Sequence, residues 1–203
     1  QRSLVGSEMC IRDSSIHTMS VQDDKRTFTG MDMLRYYLLK TEPFDLNVVW
    51  NKIFKLDLFN GVEPVRFPKG RVQEDNFTIF RLFLNANSIV TVNEPLYYYV
   101  QRAGSIMANF TRRFMIDTIE SHMYMSDYLM NHCSSVKNEL QLYLLNSYVE
   151  LSRRVCANKC KKECNDLLIQ YKHYVLDHTA DTSHNPLWKC KQYIKRLLVK
   201  LYY

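Results

Sequence analysis

One loop of this chain runs directly into an apolar helix, and this junction constrains the fold more than any other stretch. The loop and the helix start read Phe67-Pro68-Lys69-Gly70-Arg71-Val72-Gln73-Glu74-Asp75-Asn76-Phe77. Gly70 permits a sharp turn because glycine adopts backbone angles that are closed to other residues. Apolar residues then recur at helical spacing, which predicts a helix that starts near Glu74 and buries one face. That face carries Phe77, Phe80, Phe83 and Leu84.

The predicted helix begins with two adjacent carboxylates, Glu74 and Asp75. A carboxylate in the first helical turn lies beside unpaired backbone N–H groups and the positive end of the helix dipole, so it stays ionised and is held rigidly. A fixed, ionised carboxylate at the mouth of a cleft can accept the proton of an attacking hydroxyl, and Asp75 is therefore a candidate general base. Acidic residues are also ordinary helix starters, and spacing alone leaves both interpretations open.

Length and composition exclude several classes of protein. The chain has 203 residues, of which 46% are apolar and 24% charged, enough for one large hydrophobic core or two small ones. We find no run of about 20 apolar residues, so a membrane-spanning segment is not predicted. The six cysteines are irregularly spaced, with no convincing signal peptide, which favours a reducing cytoplasm over a disulfide framework.

Several shorter elements are predicted around the junction. Thr29 and Asp32 have capping-box spacing, which predicts a short helix over about 30–40. The β-branched and aromatic segments Ser88–Val92 and Leu96–Val100 predict two strands separated by Pro95.

The segment 48–54 predicts a strand or a turn that presents Trp50, Asn51 and Lys52 to a pocket. An indole face can stack on the C–H side of a sugar ring, whereas the alternative is a core tryptophan with polar neighbours. Lys52 either holds a phosphate or remains in solvent.

The chain changes character at about residue 110. Segments 110–133, 135–156 and 161–176 are rich in Met, Leu and Tyr at helical spacing and predict a helical extension, so the fold class is α/β and mostly α. Cys156, Cys160 and Cys164 have i, i+4, i+8 spacing, which predicts a small-residue packing seam on one helical face. A metal site is less favoured there, because structural zinc usually takes four ligands.

Positive charge is concentrated in the C-terminal half. Residues 15–108 hold 11 Lys/Arg against 10 Asp/Glu, whereas 109–203 hold 14 against 9. In the segment 188–203, Ile194, Leu197, Leu198 and Leu201 share one face of a predicted helix, and Lys191, Lys195, Arg196 and Lys200 occupy much of the rest. Such a helix either lies on an anionic membrane or packs on the domain with its lysines in water. A basic module that binds nucleic acid is a rival interpretation, disfavoured because the charge is modest and no recognition motif is present.

Five ordered motifs within residues 28–107 resemble the second half of a bacterial family-2 glycosyltransferase. They are Val49–Phe54, Phe67-Pro68-x-Gly70, Glu74-Asp75, Glu94–Tyr99 and Arg102-x-x-Ser105-Ile106. The resemblance implies a GT-A fold and transfer of a sugar, with inversion, from a nucleotide-sugar donor to a saccharide or lipid-linked acceptor in surface polysaccharide synthesis.

The same resemblance implies roles for individual residues. Asp75 is the general base, and Glu74 orients the attacking hydroxyl or the loop. The predicted substrate-binding residues are Trp50, Asn51, Lys52, Arg102 and Ser105. Arg102 either meets the diphosphate through charge-assisted hydrogen bonds or is an ordinary solvated loop arginine.

The resemblance also implies parts that this chain does not contain. Family members hold the donor diphosphate through Mg or Mn at an Asp-x-Asp motif, because the leaving group gains negative charge. No such motif occurs here, since Asp23 and Asp24 are adjacent. We therefore expect residues 1–14 to be a translated linker artefact, 15–108 the acceptor-side half of a catalytic domain, and 109–203 its helical extension. We expect this chain to be inactive alone and to bind no metal, and its parent to act in the cytoplasm, with peripheral contact to the inner face of the membrane.

Overall fold

The computed structural model describes residues 26–41, 46–92, 97, 110–179 and 194–199. Its α-helices are α1 (Gly30–Leu39), α2 (Glu74–Asn85), α3 (Arg112–His132), α4 (Lys137–Ala157) and α5 (Lys161–His178), and residues 194–199 are also helical. Short 3-10 helices lie at Leu56–Phe59 and Ser134–Val136, and β1 (Arg26–Phe28) pairs with β2 (Ile89–Thr91). The described part of the chain is thus mostly helical, as predicted, and the GT-A arrangement stays a prediction.

The start of α1 confirms the predicted capping box. The Thr29 hydroxyl accepts a hydrogen bond from the Asp32 amide at 3.1 Å, and the Asp32 carboxylate accepts one from the Thr29 amide at 3.1 Å. Gly30 follows directly, and a Cβ there would lie 1.9 Å from the Phe83 carbonyl oxygen. Only glycine therefore allows α1 to approach the end of α2 this closely. The strands β1 and β2 are antiparallel, with Phe28 opposite Ile89.

The junction before α2 also has the predicted form. Gly70 has a φ of 72° in the left-handed region, and α2 begins at Glu74. Phe80 and Phe83 are buried, while Phe77 and Leu84 are half-buried. Ile79 and Leu82 are buried as well. The helix therefore buries a wider face than the sequence predicted, because α1 and α3 cover it from two sides.

Two hydrophobic clusters form the core. The first joins α1 and α2 to the second half of α3 and the start of α4, through residues such as Leu34, Phe80 and Leu129. The second joins α3, α4 and α5, through residues such as Met115 and Tyr148. The first cluster draws residues from both sides of the predicted boundary at 108/109. The division of the chain into two units stays a prediction.

The three predicted helices of the C-terminal half are confirmed as α3, α4 and α5, but the predicted cysteine seam is wrong. The chain breaks between α4 and α5, where Lys159 has a φ of 54° and the Asn158 side-chain amide donates to the Arg154 carbonyl. Cys156 is exposed at the end of α4, Cys160 precedes α5, and Cys164 is buried in α5. The three side chains therefore do not share a face of one helix.

The remaining predicted elements are partly described. β2 confirms the strand within Ser88–Val92, whereas the strand predicted at Leu96–Val100 lies outside the described residues except for Tyr97. None of the helices in the described ranges combines the length and the apolar character that crossing a membrane requires.

Candidate functional site

Asp75 lies in the first turn of α2 and is half-buried. Its Oδ2 accepts a hydrogen bond from the Val49 amide at 3.2 Å, so the carboxylate is held between the helix N-terminus and the preceding loop. Burial raises the pKa of Tyr37 well above its ordinary value, and neighbouring Tyr143 and the charge of Asp75 raise it further. Asp75 is thus a fixed carboxylate beside buried phenols, while Glu74 is exposed to solvent.

The segment that was predicted as a strand or a turn is a turn. The Lys52 amide donates to the Val49 carbonyl at 3.1 Å, which closes the turn directly after the amide that binds Asp75. The Lys52 ammonium donates to the Val48 carbonyl and, at 2.7 Å, to the Asn51 side-chain oxygen. The turn therefore holds Asn51 and Lys52 together, on the side of α2 that carries Asp75.

Trp50 lies at the tip of this turn and is not a buried core residue. Its side chain is 36% exposed, and its ring stacks on Tyr97 with the ring centroids 4.7 Å apart and the planes 28° apart. Tyr97 is 52% exposed. Because the Val49 amide binds Asp75, the chain leads directly from the carboxylate to a pair of exposed aromatic rings.

A buried carboxylate on α3 holds the loop that precedes α2. The Asp117 side chain is 0% exposed and accepts hydrogen bonds from Arg71 at 2.7 Å, from the Val72 amide at 2.8 Å and from Arg113 at 3.0 Å. Arg113 also donates to the Gly70 carbonyl at 3.0 Å. Burial alone raises the pKa of Asp117, but these hydrogen bonds and the two guanidinium charges outweigh burial and hold the pKa below its ordinary value.

A pocket of about 100 Å³ opens beside the N-terminus of α2. One wall comes from the end of α1, the loop at Asn47, and Gln73 and Asn76 of the α2 start. The other wall comes from α3 and α4 and includes His122 and Tyr143. Asp75 does not line this pocket, although residues on both sides of it in the sequence do.

His122 is a deeply buried titratable group in the pocket wall. The side chain is 6% exposed, and its Nδ1 lies 2.9 Å from the hydroxyl of Tyr171, which is fully buried. Burial, together with the positive charge of Lys40, lowers the pKa of His122 to about 3. The imidazole is therefore neutral at physiological pH.

Two of the predicted site residues, Arg102 and Ser105, lie outside the described residues. Their roles in substrate binding stay predictions. Among the described residues, no group of three or more His, Cys, Asp or Glu side chains is arranged to hold a metal ion. Whether the chain binds a metal stays a prediction.

The sequence analysis did not single out Asp117 or His122. Asp117 follows Arg113 at i, i+4 on α3, and this spacing of opposite charges was the signal in the sequence that could have identified Asp117. His122 had no comparable signal, because its partner Tyr171 is 49 residues away in the chain.

Comparison with known proteins finds two relatives, both from Streptococcus pneumoniae. The chain is 45% identical to "Glycosyltransferase GlyG" over 56 residues, which are 28% of this chain and 18% of that protein. It is 26% identical to "Glycosyltransferase GlyA" over 108 residues, which are 53% of this chain and 15% of that protein. The matches thus span less than a fifth of either relative. No known family and no solved structure matches the chain. The two matches support a glycosyltransferase-like function.

Proposed function

We propose that this chain is the acceptor-side part of an inverting family-2 glycosyltransferase with a GT-A fold. The parent enzyme transfers a sugar from a nucleotide-sugar donor to a saccharide or lipid-linked acceptor in surface polysaccharide synthesis. The observation that carries the proposal is the position of Asp75, which is held at a helix N-terminus by the amide of Val49, the residue directly before the exposed Trp50. Similarity to two glycosyltransferases supports it.

In the proposed reaction, Asp75 acts as the general base. Its carboxylate takes the proton of an acceptor hydroxyl while that oxygen forms a bond to the anomeric carbon of the donor sugar. The bond from this carbon to the diphosphate breaks, and the electron pair leaves with the diphosphate. The helix N-terminus stabilises the ionised state that Asp75 needs before the reaction.

The other site residues position the substrates. Trp50 offers an apolar ring face to a sugar, and the turn that holds Asn51 and Lys52 supplies polar groups beside it. Arg102 and Ser105 complete the cleft in this proposal. A divalent metal that binds the donor diphosphate would be held by residues of the parent enzyme outside this chain, so the 203-residue chain is inactive by itself.

The decisive experiment measures sugar transfer by the complete enzyme that contains this chain. Asp75→Asn removes the base but keeps the shape of the side chain, and we expect turnover to fall by roughly 10²–10⁴ with little change in melting temperature. Asp166→Asn is the matched control, because Asp166 on α5 pairs with Arg112 and its change is expected to leave turnover unaltered. Unchanged turnover in Asp75→Asn removes Asp75 from the mechanism. Sugar transfer by the 203-residue chain alone contradicts the proposed division of the enzyme.

A second function is favoured by the described residues 194–199. Arg196 donates to the Leu176 carbonyl at 2.9 Å, and Val199 is fully buried, so this segment is attached to the body of the protein. Ile194, Leu197 and Leu198 remain 51%, 44% and 37% exposed. An attached basic helix with an exposed apolar face suits contact with an anionic membrane, which would bring the enzyme to a lipid-linked acceptor.

Vesicle flotation tests this second function. We expect the chain to float with vesicles that contain phosphatidylglycerol but not with phosphatidylcholine vesicles, and Leu197→Glu to abolish flotation. Ile169→Glu is the control, because Ile169 on α5 is 46% exposed and is not part of the segment. Equal flotation of the two variants contradicts the membrane contact. Salt-dependent retardation of DNA or RNA in a gel favours the nucleic-acid alternative instead.

A further inference from the structure

Most of the buried side chains that line the pocket beside α2 are polar and uncharged. Three charged residues also line it: Lys40 and Glu150 are exposed, and Arg154 is half-buried with its guanidinium group over the rings of Phe110 and Phe114. Asn76 is 8% exposed and Ser147 4%, and with His122 they belong to the interior. Buried amide, hydroxyl and imidazole groups suit a ligand with hydroxyl groups, because each of them can exchange a hydrogen bond with a hydroxyl.

The partner of His122 determines which ring nitrogen carries the proton. The Tyr171 hydroxyl is fully buried, and its hydrogen bond within the described residues is the one to His122 Nδ1. A buried phenol whose proton found no acceptor would be destabilised by about 1–3 kcal/mol, so Tyr171 donates and Nδ1 accepts. His122 therefore carries its proton on Nε2, for which the described residues provide no hydrogen-bond partner. One wall of the pocket thus supplies a free N–H donor.

The opposite wall supplies a free acceptor. The Asn76 side-chain nitrogen donates to the Gln73 side-chain oxygen at 2.7 Å, which fixes the orientation of the amide. The Asn76 side-chain oxygen has no hydrogen-bond donor among the described residues. The described buried side-chain atoms that lack a partner are Tyr37 Oη, Arg81 Nε and Ser126 Oγ, so His122 Nε2 and the Asn76 oxygen are not sealed from solvent and can meet a molecule in the pocket. A hydroxyl group both donates and accepts, so the hydroxyl groups of one ligand can bond to either atom.

The backbone of the pocket wall is consistent with a ligand site. Lys40 and Gln73 have φ values of 52° and 74°, and Lys159 is the third non-glycine residue of the described ranges with a positive φ. Each such residue costs on the order of 1–3 kcal/mol, and strain of this kind is concentrated at functional sites. Two of the three lie around this pocket.

We propose that this pocket is a subsite that recognises a hydroxyl-bearing ring of the acceptor saccharide, through His122 Nε2–H and the Asn76 side-chain oxygen. The inference rests on the proposed function for the identity of the substrate class. It adds that α3 and α4 form one wall of the acceptor site, so the helical region contributes directly to substrate recognition.

The test is sugar binding by the 203-residue chain, followed by NMR. The probes are D-glucose, D-galactose and N-acetyl-D-glucosamine, with inorganic phosphate at equal ionic strength as the anion. We expect at least one sugar to shift the His122 side-chain and Asn76 amide resonances saturably, with a Kd in the millimolar range, and phosphate not to do so. A shift with phosphate alone, or no saturable shift with any of the sugars, overturns the proposal.

Paired variants show whether His122 makes the contact. His122→Phe combined with Tyr171→Phe removes the donor and its buried partner together, so it avoids an unsatisfied hydroxyl. We expect this double variant to bind the sugar about 3- to 10-fold more weakly, as judged from the Asn76 amide signals. Tyr174→Phe is the matched control on α5, because the Tyr174 hydroxyl binds Asp127 outside the pocket, and its Kd should not change.

A second variant tests the subsite from the opposite wall, and assays of the complete enzyme separate the subsite from the transferase proposal. If the double variant fails to fold, Asn76→Leu makes the same test from the opposite wall, with the His122 signals as the readout. Unchanged sugar affinity in a folded variant overturns the subsite. Asp75-dependent transfer by the complete enzyme, without sugar binding in this pocket, overturns the subsite alone. Sugar binding here, without any transfer by the complete enzyme, overturns the transferase proposal alone.

Discussion

Asp117 binds the loop 70–73 and Asp75 follows that loop in the chain, but the surroundings of the two carboxylates differ. Asp117 is fully buried and accepts hydrogen bonds from two guanidinium groups and from the Val72 amide. Asp75 is half-buried at the start of α2 and accepts one from the Val49 amide. The first carboxylate is surrounded by fixed positive charge that belongs to the fold, whereas the second is held by the turn that carries the exposed Trp50. We therefore expect changes at Asp117 to act on stability and changes at Asp75 to act on turnover.

The largest effect on stability is expected from Asp117→Ala. This change leaves Arg71, Arg113 and the Val72 amide without their shared acceptor, and the free energy of unfolding should fall by about 3 kcal/mol. The loss lies at the lower end for a buried pair, because the Arg71 and Arg113 side chains are 31% and 55% exposed, and water can solvate them. Urea denaturation measures the change. Asp166→Ala, at an exposed ion pair, is the control and should lose far less. Equal losses in the two variants would show that Asp117 is not the anchor of the loop.

The contribution of Asp117 also depends on pH. Its folded-state pKa lies below the ordinary value of 3.8, so its contribution is present above pH 3.8 and is lost as the pH falls through the folded-state pKa. The stability difference between the unmodified chain and Asp117→Asn should therefore be constant near neutral pH and shrink below pH 3.8. Urea denaturation at a series of pH values measures it. A difference that grows on acidification contradicts the assignment.

The hydrogen bond that caps α1 provides a reference value for the free energy of unfolding that one local contact contributes. Thr29→Ala removes the hydroxyl that caps α1, and the free energy of unfolding should fall by about 1 kcal/mol. Thr29→Ser keeps the hydroxyl and is the matched control. Thermal denaturation of both variants is sufficient, and equal destabilisation would mean that the methyl group, rather than the cap, stabilises this end of α1.

The smallest stability effect is expected at Asp75. The amide side chain of the Asp75→Asn variant can still accept the hydrogen bond from the Val49 amide, so the free energy of unfolding should change by less than about 1 kcal/mol. Urea denaturation alongside Asp117→Ala makes the comparison direct. A loss at Asp75 as large as that at Asp117 would mean that both carboxylates maintain the fold, and the separation between stability and turnover would disappear.

The local elements could be predicted from the sequence to a large extent. The capping box at Thr29, the left-handed Gly70, the start of α2 at Glu74 and the helices α3 to α5 all follow from patterns within a few residues. The cysteine seam was wrong for a local reason that spacing did not reveal. Lys159 adopts a left-handed conformation and ends the helical run, although neither proline nor glycine marks the break.

The candidate site was predictable only where its residues are neighbours in the chain. Asp75 and Trp50 were found through motifs. For the segment that carries Trp50 and binds Asp75, the sequence predicted either a strand or a turn. The pocket was not predicted, because its walls come from α1, α2, α3 and α4. His122 becomes a candidate ligand-binding group only after folding brings Tyr171 to its Nδ1.

The sequence by itself determined where helices start and which carboxylate begins α2, because capping and apolar spacing act over one or two turns. The tertiary structure decided that Asp117 is buried between Arg71 and Arg113, and that His122 Nε2 has no hydrogen-bond partner within the described part of the chain. It also decided that the helical region forms one wall of a pocket beside α2. Burial and long-range hydrogen bonding set these properties, and both depend on residues that are 45 to 49 positions apart in the chain.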